Sequence, residues 1–262
     1  MSESAYVFTD TQHLRELERL RAIEQVFDVA SQRRLAATGI TTSWRCLEVG
    51  AGAGSIVQWM AAVVGQEGKA IALDINTRFL THITQSNLEI IESDIQHAPL
   101  QNASFDLIHA RYVLIHLPDF QVALLRMIDL LKPGGWLVLE EPDFSAARAI
   151  SGEQTVCQSV NRVNRAIEKM FSDRGMDYAL GVKLPAICQQ LGLQQLSVEN
   201  DVSLSQGGSG VAKVMKMSTE LAEKYIATGA TTHQDIEQYC QFAEDLHTWA
   251  IYYSTVGVSA KK

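Results

Sequence analysis

The chain has 262 residues, of which 47% are hydrophobic and 20% charged, so it can bury a core and is too apolar for a disordered protein. Its formal net charge is −8 and neither half is basic, which argues against a nucleic-acid partner. No apolar stretch is long enough for a membrane span and no secretory signal is visible, so we predict a cytoplasmic protein without a membrane partner.

Helical patterns come first along the chain. Apolar side chains recur at helical spacing from Leu14 to Phe27, and a second helical stretch over residues 31–38 is predicted to end at Gly39.

Strands and helices then alternate up to Pro142. The predicted strands cover residues 44–49, 69–74, 88–94, 105–110 and 136–140, and the predicted helices cover residues 55–64, 77–86 and 120–131. Strands separated by helices pair in parallel through right-handed crossovers. The pattern therefore predicts an α/β fold with a doubly wound, mostly parallel sheet and helices on both faces.

Two more strands are predicted in the second half, over residues 196–204 and 249–258, which would make the sheet seven-stranded. The rest of this half is predicted to be largely helical. No repeat or linker divides the chain, so we expect residues 1–262 to form a single domain.

A glycine-rich loop follows the first predicted strand. Gly50, Gly52 and Gly54 are spaced G-x-G-x-G, and Ser55 stands where a dinucleotide-binding loop would have its third glycine. Glu48 lies two residues before the loop. A carboxylate there would repel a pyrophosphate and attract a sulfonium or an amino group. The loop therefore favours a cationic cofactor over a nicotinamide dinucleotide.

These residues resemble a known family. Residues 47–54 (LEVGAGAG) look like the signature motif of class I S-adenosylmethionine-dependent methyltransferases, and Asp74, residues 93–95 (SDI) and residues 131–135 (LKPGG) match later motifs in the same order. The segment from Tyr6 is similar to the start of bacterial small-molecule methyltransferases. The resemblance implies a Rossmann-like fold, S-adenosyl-L-methionine as cofactor and S-adenosyl-L-homocysteine as product.

The resemblance also implies a set of cofactor-binding residues. They are Tyr6, Glu48, Gly50, Ala51, Gly52, Asp74, Ile75, Asp94, Ile95, Ala110 and Arg111. Structural alternatives remain open for several of them. Asp74 could cap a helix, Asp94 could serve a turn, and Arg111 could form a surface salt bridge.

His116 is the first candidate for a catalytic base. It lies shortly after the fourth predicted strand, and an ordinary histidine pKa suits proton transfer at neutral pH. Arg111 is a second candidate, through an anionic substrate. An alternative for His116 is a role in lining the pocket. His109, inside the strand, is predicted to be a core or sheet-surface residue.

No metal site is predicted. The four cysteines lack metal-ligand spacing and are expected to be free thiols. The acidic run from Glu140 to Asp143 is expected to be a solvated turn.

The substrate pocket is predicted to be covered by N-terminal helices at residues 5–38 and by helical cap elements at residues 145–180 and 207–246. We expect a small-molecule acceptor methylated at oxygen, in a monomer or a homodimer. An N-methyltransferase, a nicotinamide-dependent oxidoreductase and a non-catalytic cofactor-binding protein remain as alternatives.

Overall fold

The computed structural model describes residues 13–262, so Tyr6 lies outside the described residues. Within this range the α-helices are α1 His13–Ala37, α2 Ser55–Val64, α3 Phe120–Leu130, α4 Gln154–Ser172, α5 Leu180–Gln190, α6 Gly210–Met217, α7 Ala222–Ile226 and α8 His233–Glu244. The strands are β1 Arg45–Val49, β2 Lys69–Asp74, β3 Leu88–Glu92, β4 Phe105–Arg111, β5 Leu131–Asp143, β6 Arg148–Ser151, β7 Gln194–Gln206 and β8 Trp249–Lys261. Short 3₁₀ helices cover Leu114–His116, Phe144–Ala146 and Ser218–Leu221.

All of these strands form one sheet. Strands β3, β2, β1, β4 and β5 lie side by side in that order and run parallel, and β8 pairs antiparallel with β5. This arrangement confirms the predicted α/β fold with a mostly parallel sheet. The crossovers bring the carboxyl ends of the parallel strands to one edge, where ligands of such sheets bind.

Strand β8 holds the irregular end of the sheet together. One of its edges pairs with the short β6 over residues 249–251 and with β5 over residues 254–261, while its other edge pairs with β7. Ile251 in β8 has Arg148 of β6 on one side and Leu204 of β7 on the other. The sheet thus has eight strands within the described residues rather than the predicted seven, because residues 148–151, predicted to be part of the helical cap, are extended.

The predicted helix over residues 77–86 is wrong. These residues form consecutive turns, in which the N–H of Leu80 bonds the carbonyl of Thr77 and the N–H of Ile83 bonds that of Leu80. Threonine and serine occupy four of the ten positions, and their side chains compete with helical hydrogen bonds. The Thr77 hydroxyl instead donates to the Glu92 carboxylate at 2.6 Å.

Apolar side chains cover both faces of the sheet. One cluster joins β1, β2, β4 and β5 to α3 and α5, and a second joins the opposite face to α2 and to Leu35 of α1. A third cluster joins α4, α6, α7 and α8 to Ile23 and Phe27 of α1. This third cluster, with α1, forms a roof over the carboxyl ends of the parallel strands. None of the helices within residues 13–262 is long and apolar enough to cross a membrane.

Candidate active site

A cavity of about 700 Å³ lies between the carboxyl ends of the parallel strands and the roof helices. Its floor is formed by the ends of β1, β2, β3 and β4 and by the loops that follow them, and its roof by α1, α4, α6 and α7. Most of the predicted site residues line this cavity: Glu48, Gly50, Ala51, Gly52, Asp74, Ile75, Asp94, Ile95, Arg111 and His116. Ala110 does not line it, because it is fully buried within β4.

The glycine loop takes a conformation that needs glycine. Gly50 and Gly52 have φ angles of 71° and 58°, in the left-handed region, and a Cβ at position 50 would overlap the side chain of Val113. The backbone N–H groups of Gly50 and Ala51 both bond the carbonyl of Leu73, at 2.8 and 3.2 Å. The loop is therefore held against the end of β2, and its backbone forms part of the cavity floor.

Two carboxylates lie on the floor beyond the loop. Asp74 accepts hydrogen bonds from the N–H of Gly52 at 2.9 Å and of Asn76 at 3.0 Å. Burial raises the pKa of Asp74, and these N–H groups oppose the rise. Asp94 accepts from the N–H of Gln96 at 2.9 Å, and 44% of its side chain is exposed. Both side chains therefore stabilise a turn, through a hydrogen bond to the backbone two residues on, and also line the cavity. Ile95 beside Asp94 is buried, whereas Ile75 is exposed.

Glu48 at the cavity wall belongs to a buried chain of charged side chains. Its carboxylate contacts the His109 ring at 2.7 Å, and the other ring nitrogen of His109 contacts Glu140 at 3.0 Å. Arg34 from α1 donates to Glu140 at 2.7 Å. The two carboxylates raise the pKa of His109 to about 9 against the effect of burial, so that His109 is an imidazolium at neutral pH. Its positive charge and that of Arg34 lower the pKa of Glu140 to about 2.

Sequence reasoning missed this arrangement. His109 is predicted from the sequence to be a core or sheet-surface residue; it is fully buried, and its charged partners were not anticipated. The prediction of a solvated turn from Glu140 to Asp143 is wrong, because these residues end β5 and Glu140 and Glu141 have no exposed surface. A signal was present in the spacing, since Glu48 and His109 each stand one residue before the end of a predicted buried strand.

Arg111 at the end of β4 is held by α1. It donates to Asp28 at 3.0 Å and to the hydroxyl of Ser31 at 2.8 Å, and only 9% of its side chain is exposed. Arg111 thus does form the salt bridge given as its alternative role, but the pair is partly buried between the sheet and α1 rather than on the surface. Tyr112 follows with a φ of 57°, and its hydroxyl lies 2.6 Å from that of Thr255 in β8. A left-handed conformation is rare for a bulky residue, so the surrounding contacts must hold Tyr112 in place.

A buried carboxylate holds the segment that carries His116. Glu141 accepts hydrogen bonds from the N–H groups of Val113 at 3.0 Å, Leu114 at 2.7 Å and Ile115 at 3.2 Å. It thereby caps the 3₁₀ helix Leu114–His116, whose first N–H groups have no partner within the helix. Sequence analysis did not identify Glu141 as a residue of this region. Burial raises the pKa of Glu141 to about 8.

His116 faces the cavity next to aromatic side chains. Its ring centroid lies 6.1 Å from that of Phe171, which stacks on Phe144 at 5.5 Å. Burial, together with the positive charge of Arg19, lowers the pKa of His116 to about 3. His116 is therefore neutral at physiological pH, but a group with so low a pKa is a weak proton acceptor.

The roof side of the cavity is largely apolar. Six of its lining residues come from α4, α6 and α7: Ile167, Met170, Phe171, Val214, Met215 and Tyr225. The charged groups on this side come from α1: the guanidinium of Arg19 donates to both carboxylate oxygens of the buried Glu16 at 2.9 and 2.8 Å, and Glu24 accepts from the N–H of Ser55 at 3.0 Å. The cavity therefore combines a polar floor with a roof suited to an apolar molecule.

Among the described residues 13–262, no three His, Cys, Asp or Glu side chains are grouped so as to hold a metal ion. Cys46, Cys157, Cys188 and Cys240 are free thiols.

Part of the chain is similar to known methyltransferases. Residues 47–139 match the family model of a methyltransferase domain. The chain is 38% identical over 109 residues to methyltransferase str2 of Strobilurus tenacellus, a match that covers 39% of this chain and 37% of that protein. It is 30% identical over 115 residues to the ubiquinone/menaquinone biosynthesis C-methyltransferase UbiE of Cellvibrio japonicus, covering 41% and 46%. The matches thus span less than half the length of these relatives.

A solved structure shares the fold over a longer range. Phosphoethanolamine N-methyltransferase 2 of Haemonchus contortus, in complex with phosphomonomethylethanolamine and S-adenosylhomocysteine, superposes with a TM-score of 0.63 at 15% identity, over 100% of this chain and 60% of that one. At this identity the likeness concerns the fold alone.

Proposed function

Because this chain carries a class I S-adenosylmethionine-dependent methyltransferase domain, we propose that it is an enzyme that transfers a methyl group from S-adenosylmethionine to a small, largely apolar acceptor, at oxygen. The observation that carries the proposal is that the glycine loop and the apolar roof line the same cavity. A cofactor on the floor and an acceptor under the roof would share one cavity, as direct transfer requires.

The floor fits the cofactor in shape and in charge. A cradle without side chains exists at Gly50 and Gly52, where backbone can approach a ligand closely. Glu48 would face the cationic methionine part, and Asp74 would accept hydrogen bonds from the ribose hydroxyls. Asp94 and Ile95 would lie at the adenine. S-adenosylmethionine supplies an activated methyl group on a sulfonium, so the work of the chain is to position and to enclose.

The acceptor side favours an acidic hydroxyl. Two carboxylates of α1 line the cavity, and both are engaged: Glu16 pairs with Arg19, and Glu24 accepts a hydrogen bond from the N–H of Ser55 at 3.0 Å. The guanidinium of Arg19, although paired with Glu16, lowers the pKa of His116 in addition to burial, and it would favour an ionised phenol, enol or carboxyl group in the same way. Since His116 is a weak base, we assign it to hydrogen bonding and orientation of the acceptor. The alternative of methylation at nitrogen is less well matched by these charges.

The alternative of a nicotinamide-dependent oxidoreductase is disfavoured by the same floor. Glu48 borders the cavity next to the glycine loop, where a dinucleotide would bring its pyrophosphate. Two like charges would meet there in a partly buried setting.

The proposal is tested by binding and by label transfer. Calorimetry should detect binding of S-adenosylhomocysteine, and methyl-labelled cofactor should label apolar phenols, enols or carboxylic acids in preference to amines. Met215→Trp should fill the roof side, abolish labelling and keep S-adenosylhomocysteine binding, while Val29→Trp, at an exposed position of α1, should change neither. Absence of S-adenosylhomocysteine binding by the unaltered chain would refute the proposal.

A further inference from the structure

A row of alternating charges runs from the cavity wall to the outer edge of the sheet. It begins at Glu48 in β1, passes through His109 in β4 and Glu140 in β5, and reaches Arg34 of α1. Arg34 then contacts Glu199, at 3.0 Å, and Asp201, both in β7. Of the three groups between the two ends, His109, Glu140 and Arg34, none lines the cavity.

The strand register brings the row together. Glu48 and His109 are direct partners across β1 and β4, and Glu140 is the partner of Gly257 across β5 and β8. A Cβ at position 257 would overlap the Arg34 side chain, so glycine lets the guanidinium cross β8 against its backbone. Because Gly257 has no side chain, Arg34 can reach past β8 to the carboxylates of β7.

Burial makes each member of the row dependent on its neighbours. The side chains of His109 and Glu140 have no exposed surface, and those of Arg34 and Glu48 are exposed by 2% and 5%. Buried charges are costly unless paired. Desolvation raises the pKa of Glu48, and the positive charges of His109 and Arg111 oppose this rise. Removing His109 would therefore favour the protonated, uncharged form of Glu48.

We propose that His109, held by Glu140 and Arg34, is a positioning residue for the cofactor: it keeps the Glu48 carboxylate charged and oriented at the cavity wall. The inference rests on the proposed function, since Glu48 needs its charge only if a cationic group binds beside it. Charged groups face His109 from β1 as Glu48 and from β5 as Glu140, with Arg34 of α1 behind Glu140. Arg111, two residues on in β4, is engaged by Asp28 of α1.

The first test measures affinity rather than turnover. Calorimetric titration with S-adenosylhomocysteine between pH 6 and 8 should show weaker binding by His109→Gln than by the unaltered chain. The dissociation constant of His109→Gln should rise by up to about tenfold for each unit of pH below the pKa of Glu48, because only the ionised fraction binds well. Glu140→Gln should act in the same direction by weakening the imidazolium. His82→Gln, at an exposed position, is the matched control and should change nothing.

The second test needs no cofactor and reports on the unaltered chain. Nitrogen-15 spectra of histidine-labelled protein should show one imidazolium that persists at pH 7.5 and that is lost in Glu140→Gln. All histidines neutral at that pH would overturn the inference, even where His109→Gln fails to fold.

The two proposals fail in different ways. No binding of S-adenosylhomocysteine by the unaltered chain at any pH would overturn the proposed function. Binding by the unaltered chain, with an equal affinity and an equal pH dependence in His109→Gln, would overturn only the role of His109.

Discussion

The carboxylate of Asp74 accepts a hydrogen bond at 2.9 Å from the backbone N–H of Gly52, so the end of β2 braces the glycine loop that follows β1. The same carboxylate lines the cavity. Substitution of Asp74 can therefore weaken ligand binding in two ways, by loosening the glycine loop and by removing a hydrogen-bond acceptor from the cavity. Different substitutions separate these two effects.

Substitution of Asp74 should weaken cofactor binding more than it weakens the fold. Asp74→Ala removes the brace and the acceptor oxygens, and hydrogen bonds to a charged group contribute about 1.5–3 kcal/mol, so we expect about tenfold to hundredfold weaker binding of S-adenosylhomocysteine. Asp74→Asn keeps one carbonyl oxygen for Gly52 and should retain the melting temperature while still binding more weakly. Calorimetry and thermal unfolding of the cofactor-free protein separate the two effects. Asp173→Asn, at an exposed position, is the control; undiminished affinity of Asp74→Ala would contradict the ribose assignment.

Gly257→Ala should destabilise the fold through Arg34. The added methyl group would overlap the guanidinium, and overpacking of this kind costs about 1–3 kcal/mol, so the melting temperature should fall. Because the overlap is with one side chain, Gly257→Ala should cost less in an Arg34→Ala background, and a double-mutant cycle by chemical unfolding measures the difference. Strictly additive effects would mean that Arg34 does not pack against position 257.

The parts of the fold that depend on local pattern were predictable. Strands β1, β2 and β4, and residues 136–139 of β5, are short apolar runs separated by helices or turns, and this alternation carries the sheet topology. The floor of the cavity was predictable for the same reason, since Gly50, Asp74 and Asp94 each follow a predicted strand at its carboxyl end. Placement on one edge of a parallel sheet then brings them together.

The parts that depend on distant partners were not predictable. His109 contacts Glu48 and Glu140 across 61 and 31 residues, and no local pattern links them. Strand β6 has four residues, three of them exposed, and it is extended because it pairs with the edge of β8. In both cases tertiary contacts decide what the local sequence leaves open.

Glu141 should make stability depend on pH with an unusual sign. Its pKa is raised in the folded state to about 8, above the ordinary value of about 4.3 for an unfolded glutamate. Between these two values the folded state binds more protons than the unfolded state, so this group's contribution to stability falls as the pH rises. The free energy of unfolding of the unaltered chain, relative to Glu141→Gln, should therefore decrease from about pH 5 to pH 8 and then stay constant. Urea unfolding at several pH values measures this difference, and a difference that increases with pH would contradict the assignment.

Replacement of His116 should distinguish an orienting hydrogen bond from general-base catalysis. With a pKa of about 3 the ring is already neutral above pH 5. The pH profiles of methyl transfer by the unaltered chain and by His116→Gln should therefore have the same shape near pH 6.5. Loss of one hydrogen bond to the acceptor should lower kcat by about tenfold, whereas loss of a general base costs about 10²- to 10⁴-fold. Binding of S-adenosylhomocysteine should be unchanged. A loss of turnover well above a hundredfold, accompanied by disappearance of a titration near pH 6.5, would make His116 the base.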